Sequence, residues 1–284
     1  MENFPSLSAL DDLLGRISVA LRGLPGAQAL YLFGSAADPA RKDRYSDLDL
    51  QVVSAQFELS RAAWPAVLSS VGNMTLVFQL DPEDPAARET AFTLGFEGQS
   101  LYHKVDFGIT DRGLADGYFH RLEGKVLLWR QHAPAGPVVS APHTAWRPAW
   151  ESPEHFLLGE LLGSVRYVKA RQRRQHLACW RFLSAKFNAL LRCCPWQRGQ
   201  AQFPPGVKTT WDFTALDRRL SEGERLDLLS GLKTSSPAEM DRSLVEITRR
   251  IIARIDPGYK VEDTPQAAII RAMMSFIASE LGVD

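Results

Sequence analysis

The sequence predicts an α+β protein: an N-terminal domain with a mixed β-sheet flanked by helices, followed by an all-α helical bundle at the C-terminal end. Three observations carry this expectation. The first half holds short apolar runs of strand length separated by turn-rich or helical sequence, whereas the second half places apolar residues at helical spacing. Between them, Gln131 to Pro153 contains five prolines without periodicity, the composition of a connection. At 284 residues the chain also reaches the size, roughly 250–300 residues, at which one core stops growing and chains divide. The expected division is 1–135, a connection over 136–152, and 153–284.

Each element has its own warrant. Leu7, Leu10, Leu14, Ile17 and Leu21 recur on one helical face, and Pro25-Gly26 ends that run. Strands are expected over Ala29–Phe33, Leu48–Val53, Met74–Leu80, Leu101–Ile109 and Val126–Trp129. Ser152-Pro153-Glu154 is a capping start for a helix to about Gln175, and a second helix over Leu177–Arg192 follows almost at once. Shorter helices are expected over Ala215–Leu220 and Glu222–Leu229, and longer ones over Pro237–Arg254 and Pro265–Leu281.

Composition narrows the function classes. Thirty-three basic residues balance thirty-three acidic ones, so net charge gives no reason to expect a nucleic-acid or anionic-membrane partner, and the lack of a basic patch counts modestly against a polynucleotide acceptor. Cys179, Cys193 and Cys194 form an odd set without a CxxC, suited to free thiols in a reducing, cytoplasmic setting rather than to zinc or a disulfide framework. The first residues lack a basic stretch followed by an unbroken apolar run, so no signal peptide is expected, and no window suits a membrane span.

The informative stretch is LYLFGSAADPARKDRYSDLDLQVV, Leu30 to Val53. A Gly-Ser pair follows one apolar run, eleven residues intervene, and Asp47-Leu48-Asp49 heads the next run. Residues two apart on a strand share a face with Cα atoms roughly 6.6–6.8 Å apart, so Asp47 and Asp49 face one side while Leu48 and Leu50 face the core. Two carboxylates on one face repel unless a cation lies between them. Magnesium takes one or two carboxylates plus substrate phosphates, and ion pairs about 3.5–4 Å apart clamp the attacking and leaving oxygens of a phosphoryl displacement. Gly34 lacks bulk, and Ser35 with the backbone N–H groups there suits phosphate oxygens.

These residues resemble the signature of the nucleotidyltransferase superfamily that includes DNA polymerase beta, especially its small-molecule branch, the aminoglycoside and lincosamide nucleotidyltransferases. The resemblance implies a third carboxylate on a later strand, and LYHKVDFGI supplies Asp106. It implies that Asp47, Asp49 and Asp106 are catalytic and hold Mg²⁺, with two ions expected. It implies nucleotide contacts from Gly34, Ser35, Arg44 and Ser46. In the helical half, LLGELLGSVRYVKARQRR is similar to a helix of these enzymes and places Tyr167 and Lys169, the lysine reaching the nucleotide phosphates. Where many relatives have an arginine-glycine pair shortly after the serine, this chain has Ala37-Asp38-Pro39, leaving Arg41, Lys42 or Arg44 as substitutes.

The implied activity is transfer of a nucleoside monophosphate, AMP from ATP foremost, to a hydroxyl of a small molecule such as an aminoglycoside or lincosamide antibiotic. Glu151, Glu154 and Glu160 are candidates for an amine-bearing acceptor, although acidic residues near a helix start also complement its dipole. Two alternatives stay open: a transferase acting on a protein or RNA end, as in toxin-antitoxin systems, and a nucleotide-binding module without turnover. Plain structural roles fit the remaining polar residues. Asp81, Asp84 and Asp111 adjoin Pro or Gly as turn formers, His103 and His120 have no partner at ligand spacing, and Trp146, Trp150, Trp180 and Trp211 are core or interface residues by default.

Overall fold

The computed structural model describes residues 5–80, 88–113, 124–131, 153–193, 221–230, 232–255 and 266–283. Contacts divide the chain into two compact units, Met1–Pro148 and Ala149–Asp284. The expected connection over 136–152 and the short helix over Ala215–Leu220 lie outside the described residues.

The first unit is α+β. Helix α1 (Leu7–Arg22) starts where the Ser6 hydroxyl accepts the Ala9 N–H at 3.2 Å, and it buries Leu10, Leu13, Ile17 and Leu21. Strand β1 (Ala27–Phe33) leads through a 3₁₀ turn at Ser35–Ala37 and an irregular loop to β2 (Leu48–Ser54). Helix α2 (Phe57–Leu68) precedes β3 (Met74–Leu80) and β4 (Glu89–Phe96), and β5 (Val105–Asp111) and β6 (Val126–Arg130) complete one mixed sheet. Its order is β3-β4-β5-β2-β1-β6, antiparallel throughout except for the parallel pair β2 and β5.

Helices α1 and α2 pack on each other and on the sheet. Their core joins Leu13 and Ile17 to Leu30, Leu48, Leu50 and Phe107, with Trp64 of α2 4.3 Å from the Phe92 ring and 5.9 Å from the Phe107 ring. Each such aliphatic side chain contributes roughly 1.5–3 kcal/mol by leaving water. Two elements were not distinguished by the sequence pattern. Pro65 lies inside α2 and disguises its periodicity, while Glu89, Thr90, Thr93 and Gly95 interrupt the apolar run of β4. The expected strand over Leu101–Ile109 begins later, at Val105, because Leu101–His103 form a 3₁₀ turn with the Ser100 hydroxyl accepting the Tyr102 N–H at 3.3 Å.

The described part of the second unit is all helical. Helix α3 (Pro153–Gln172) contacts α4 (His176–Arg192), α6 (Pro237–Ile255) and α7 (Ala267–Leu281), and α5 (Glu222–Ser230) lies between α4 and α6 in the chain. Burial runs almost all round α3, taking in Leu157, Leu161, Val165, Tyr167 and Val168, as expected of a central helix. Within the bundle one buried carboxylate, Asp241, serves two donors of α3. Tyr167 donates to Asp241 at 2.8 Å, and Arg171 Nε donates to both Asp241 oxygens at 3.1 and 2.9 Å. Among the described residues no helix is long and apolar enough to cross a membrane.

Candidate active site

Parallel pairing of β2 and β5 brings the sequence-predicted carboxylates to one end of the sheet. Their register sets Leu48 opposite Val105 and Asp49 opposite Asp106, and the Leu48 N–H donates to the Lys104 carbonyl at 3.2 Å. Both strands therefore begin side by side. Strand alternation sends Leu48, Leu50, Val105 and Phe107 into the core and leaves Asp47, Asp49, Lys104 and Asp106 to the other face.

Lys104 organises this end, and the sequence reading did not single it out. Its ammonium lies 2.7 Å from Asp47 Oδ2 and 2.5 Å from Asp106 Oδ2, with the lysine side chain 2% exposed and the two carboxylates 20% and 19% exposed. Burial pulls the Lys104 ammonium down, but Asp47 and Asp106 together outweigh it, so its pKa ends above the ordinary lysine value. Asp106 also accepts the Thr93 hydroxyl from β4 on Oδ1 at 2.6 Å, so both of its oxygens are oriented. The signal was present in the sequence: Lys104 is two residues before Asp106, which on a strand places it on the same face.

Gly34 sits beside the third carboxylate. Its φ is 70°, and a Cβ built on it would lie 2.0 Å from Asp49 Oδ2 and 2.9 Å from Asp49 Cγ. Any side chain here would be strained and would collide with Asp49, so the close approach this glycine permits is first that of the Asp49 carboxylate. Ser35 donates to Ser46 Oγ at 3.0 Å, and Ser46 in turn accepts the Asp43 N–H at 3.0 Å. Because Ser46 is fully buried, it supports Ser35 from behind rather than presenting a surface to nucleotide. Arg44 is exposed, lies over the Tyr45 ring at 4.8 Å and donates to the Tyr45 hydroxyl at 2.5 Å. His103 is buried, its Nε2 3.1 Å from the Arg44 carbonyl, which fits the structural role expected of it. Of the other loop cations, Lys42 is paired with Asp11 of α1, and Arg41 is exposed.

The helical-unit candidates separate. Lys169 is 5% exposed, whereas Arg166 and Arg174 are exposed, so Lys169 does not belong to the solvated basic face of its helix. Glu160 accepts Lys186 on Oε2 at 3.0 Å, and the same ammonium donates to the Glu160 carbonyl. This carboxylate is committed to an internal ion pair, contrary to its expected place in an acceptor site. Glu151 and the side chain of Glu154 lie outside the described residues.

Asp47, Asp49 and Asp106 offer hard oxygen donors, and the Lys104 ammonium shows that two of them already converge on one cation. That donor set fits magnesium, which needs only one or two protein carboxylates when phosphates complete its shell. Among the described residues no group of three or more His, Cys, Asp or Glu is arranged to hold a metal by itself.

No family model matches the chain, and no curated protein matches its sequence. Among solved structures it is similar to an aminoglycoside 6-adenyltransferase from Bacillus subtilis, at 16% identity over 95% of this chain and 98% of that one, with a TM-score of 0.35. At that distance the chemistry rests on the chain's own residues.

Proposed function

We propose that this protein is a Mg²⁺-dependent nucleotidyltransferase that moves a nucleoside monophosphate, AMP from ATP foremost, to a hydroxyl of a small molecule and releases pyrophosphate. The observation that carries the reading is the convergence of Asp47 and Asp106 on one cation, with Asp49 in register beside them and the Gly34-Ser35 turn adjoining. Asp47, Asp49 and Asp106 would hold the magnesium, which when bound neutralises charge on the triphosphate and the departing pyrophosphate. The chain's own residues do the rest. Ser35, held by Ser46, and the N–H groups of its turn bind outer phosphate oxygens; Arg44 and Lys169 add positive charge for the phosphates. Asp106, oriented by Thr93, takes the proton from the acceptor hydroxyl as its oxygen forms the new bond to the α-phosphorus and the bond to pyrophosphate breaks. Positioning and charge compensation account for the acceleration, since this chemistry asks little covalent work of a protein.

An amine-bearing antibiotic, aminoglycoside or lincosamide, is the leading acceptor class, with Glu151 and Glu154 retained as its candidate contacts and Glu160 withdrawn. The experiment is incubation with ATP, GTP, CTP or UTP, Mg²⁺ and a panel of such acceptors, read by mass spectrometry beside Asp49→Asn. A nucleotide-dependent mass gain in the wild type that Asp49→Asn lacks supports the reading. Product formed equally by both proteins would remove the site from the chemistry.

A further inference from the structure

A buried ammonium between two carboxylates of a cation site is an unusual tenant. If the carboxylates served only a metal, a neutral residue at position 104 would leave their oxygens to it. Instead Lys104 takes one oxygen from each, Asp47 Oδ2 and Asp106 Oδ2, while remaining 2% exposed. The opposite edge of Asp106 is held by Thr93, which fixes the carboxylate toward the lysine. A divalent ion approaching these carboxylates meets oxygens that are already charge-compensated, and it is repelled by the ammonium at close range in a partly desolvated place.

We propose that Lys104 is a built-in competitor of the divalent cation, which keeps the affinity of the nucleotide-free site for free metal low and makes metal entry depend on the triphosphate. The inference rests on the nucleotidyltransferase reading of the same residues. A triphosphate brings its own negative charge and its own metal-binding oxygens. With it in place, the added phosphate oxygens give the metal donors that the lysine does not hold, and ammonium and metal are accommodated together. Without it, they contend for the same two oxygens. Lys104 is thus a positioning residue, acting through Asp47 and Asp106.

The test is direct binding of Mn²⁺, followed by electron paramagnetic resonance, to the wild type and to Lys104→Met, with and without a non-hydrolysable ATP analogue. Without nucleotide, Lys104→Met should bind Mn²⁺ about tenfold more tightly than the wild type, or better. With the analogue present, the two proteins should agree within about threefold. The melting temperature of Lys104→Met should fall in chelator and recover with Mn²⁺, since the metal replaces the lost charge. Equal or weaker Mn²⁺ binding by Lys104→Met without nucleotide overturns the inference. Should that variant fail to fold even with Mn²⁺, Lys104→Gln, which keeps a donor without the charge, decides by the same criteria. The underlying reading fails separately: a wild type that binds no Mn²⁺ even with the analogue has no metal site for Lys104 to guard.

Discussion

Two buried lysines, one in each unit, show what separates a site from a support. Lys186 and Glu160 pair one to one between α4 and α3, and burial holds the Lys186 pKa below the ordinary value because a single carboxylate does not offset it. Lys104, equally buried, faces two carboxylates with a third in register next door, and its pKa is raised despite the burial. In the bundle one buried ammonium meets one carboxylate. At the β2–β5 end two carboxylates share one ammonium and a third lies in register beside them, a cluster that a metal–nucleotide complex would complete. Burial alone is therefore a poor guide to function; the balance of charge around the buried group is the better one.

The largest effect is expected from the clustered carboxylates: Asp49→Asn should lower kcat/KM by about a thousandfold, the several kcal/mol that a metal's charge supplies, while circular dichroism and melting temperature stay near wild type. The matched change Glu160→Gln should do the reverse, lowering the melting temperature with little effect on turnover per folded molecule. Equal loss of activity in both would erase the distinction.

Next in size is Lys186→Met, which strands a half-enclosed carboxylate and should cost about 3 kcal/mol in denaturant unfolding. Replacing both partners, as Lys186→Met with Glu160→Leu, should recover most of that loss; no recovery would mean that Lys186 does more than neutralise Glu160. Lys169→Ala should weaken nucleotide binding or slow transfer by roughly ten- to a hundredfold, the value of a charge-assisted contact, whereas Arg173→Ala should change little. Similar values of kcat/KM for ATP in the two variants would return Lys169 to the structural class of Lys186.

The smallest effect concerns pH. Because Lys186 has a lowered pKa when folded, the unfolded chain holds more protons between that value and the ordinary 10.5, so its contribution to stability rises with pH in that window. The stability advantage of the wild type over Lys186→Met should therefore widen from pH 7 to pH 10. A constant gap would show that burial does not depress this group.

Much of this was legible in the sequence because period-two and period-3.6 patterns are local. The α1 stripe, the β2 run and the carboxylates two residues apart need no knowledge of the fold. Asp106 could be placed on a strand, but its meeting with Asp49 depends on β2 and β5 pairing in parallel across more than fifty residues, which only the resemblance suggested. Lys104 was missed although the rule that placed Asp49 with Asp47 also places Lys104 with Asp106; a cation beside an anion on a strand reads as ordinary surface until the sheet buries it. Glu160 misled for the opposite reason, since its partner lies 26 residues away on another helix and no local pattern announces the pair. Pro65 and Gly95 hid α2 and β4 because each is a residue that its element tolerates rather than favours.

The most direct measurement is a calorimetric titration of ATP into the wild type and into Asp49→Asn, each with Mg²⁺ and with excess chelator. The carboxylate cluster predicts binding by the wild type with Mg²⁺ that weakens at least tenfold in chelator and likewise in Asp49→Asn, with chelator making little further difference to the variant. Equal affinity under all four conditions would contradict it, showing that the β2–β5 carboxylates take no part in holding a metal–nucleotide complex.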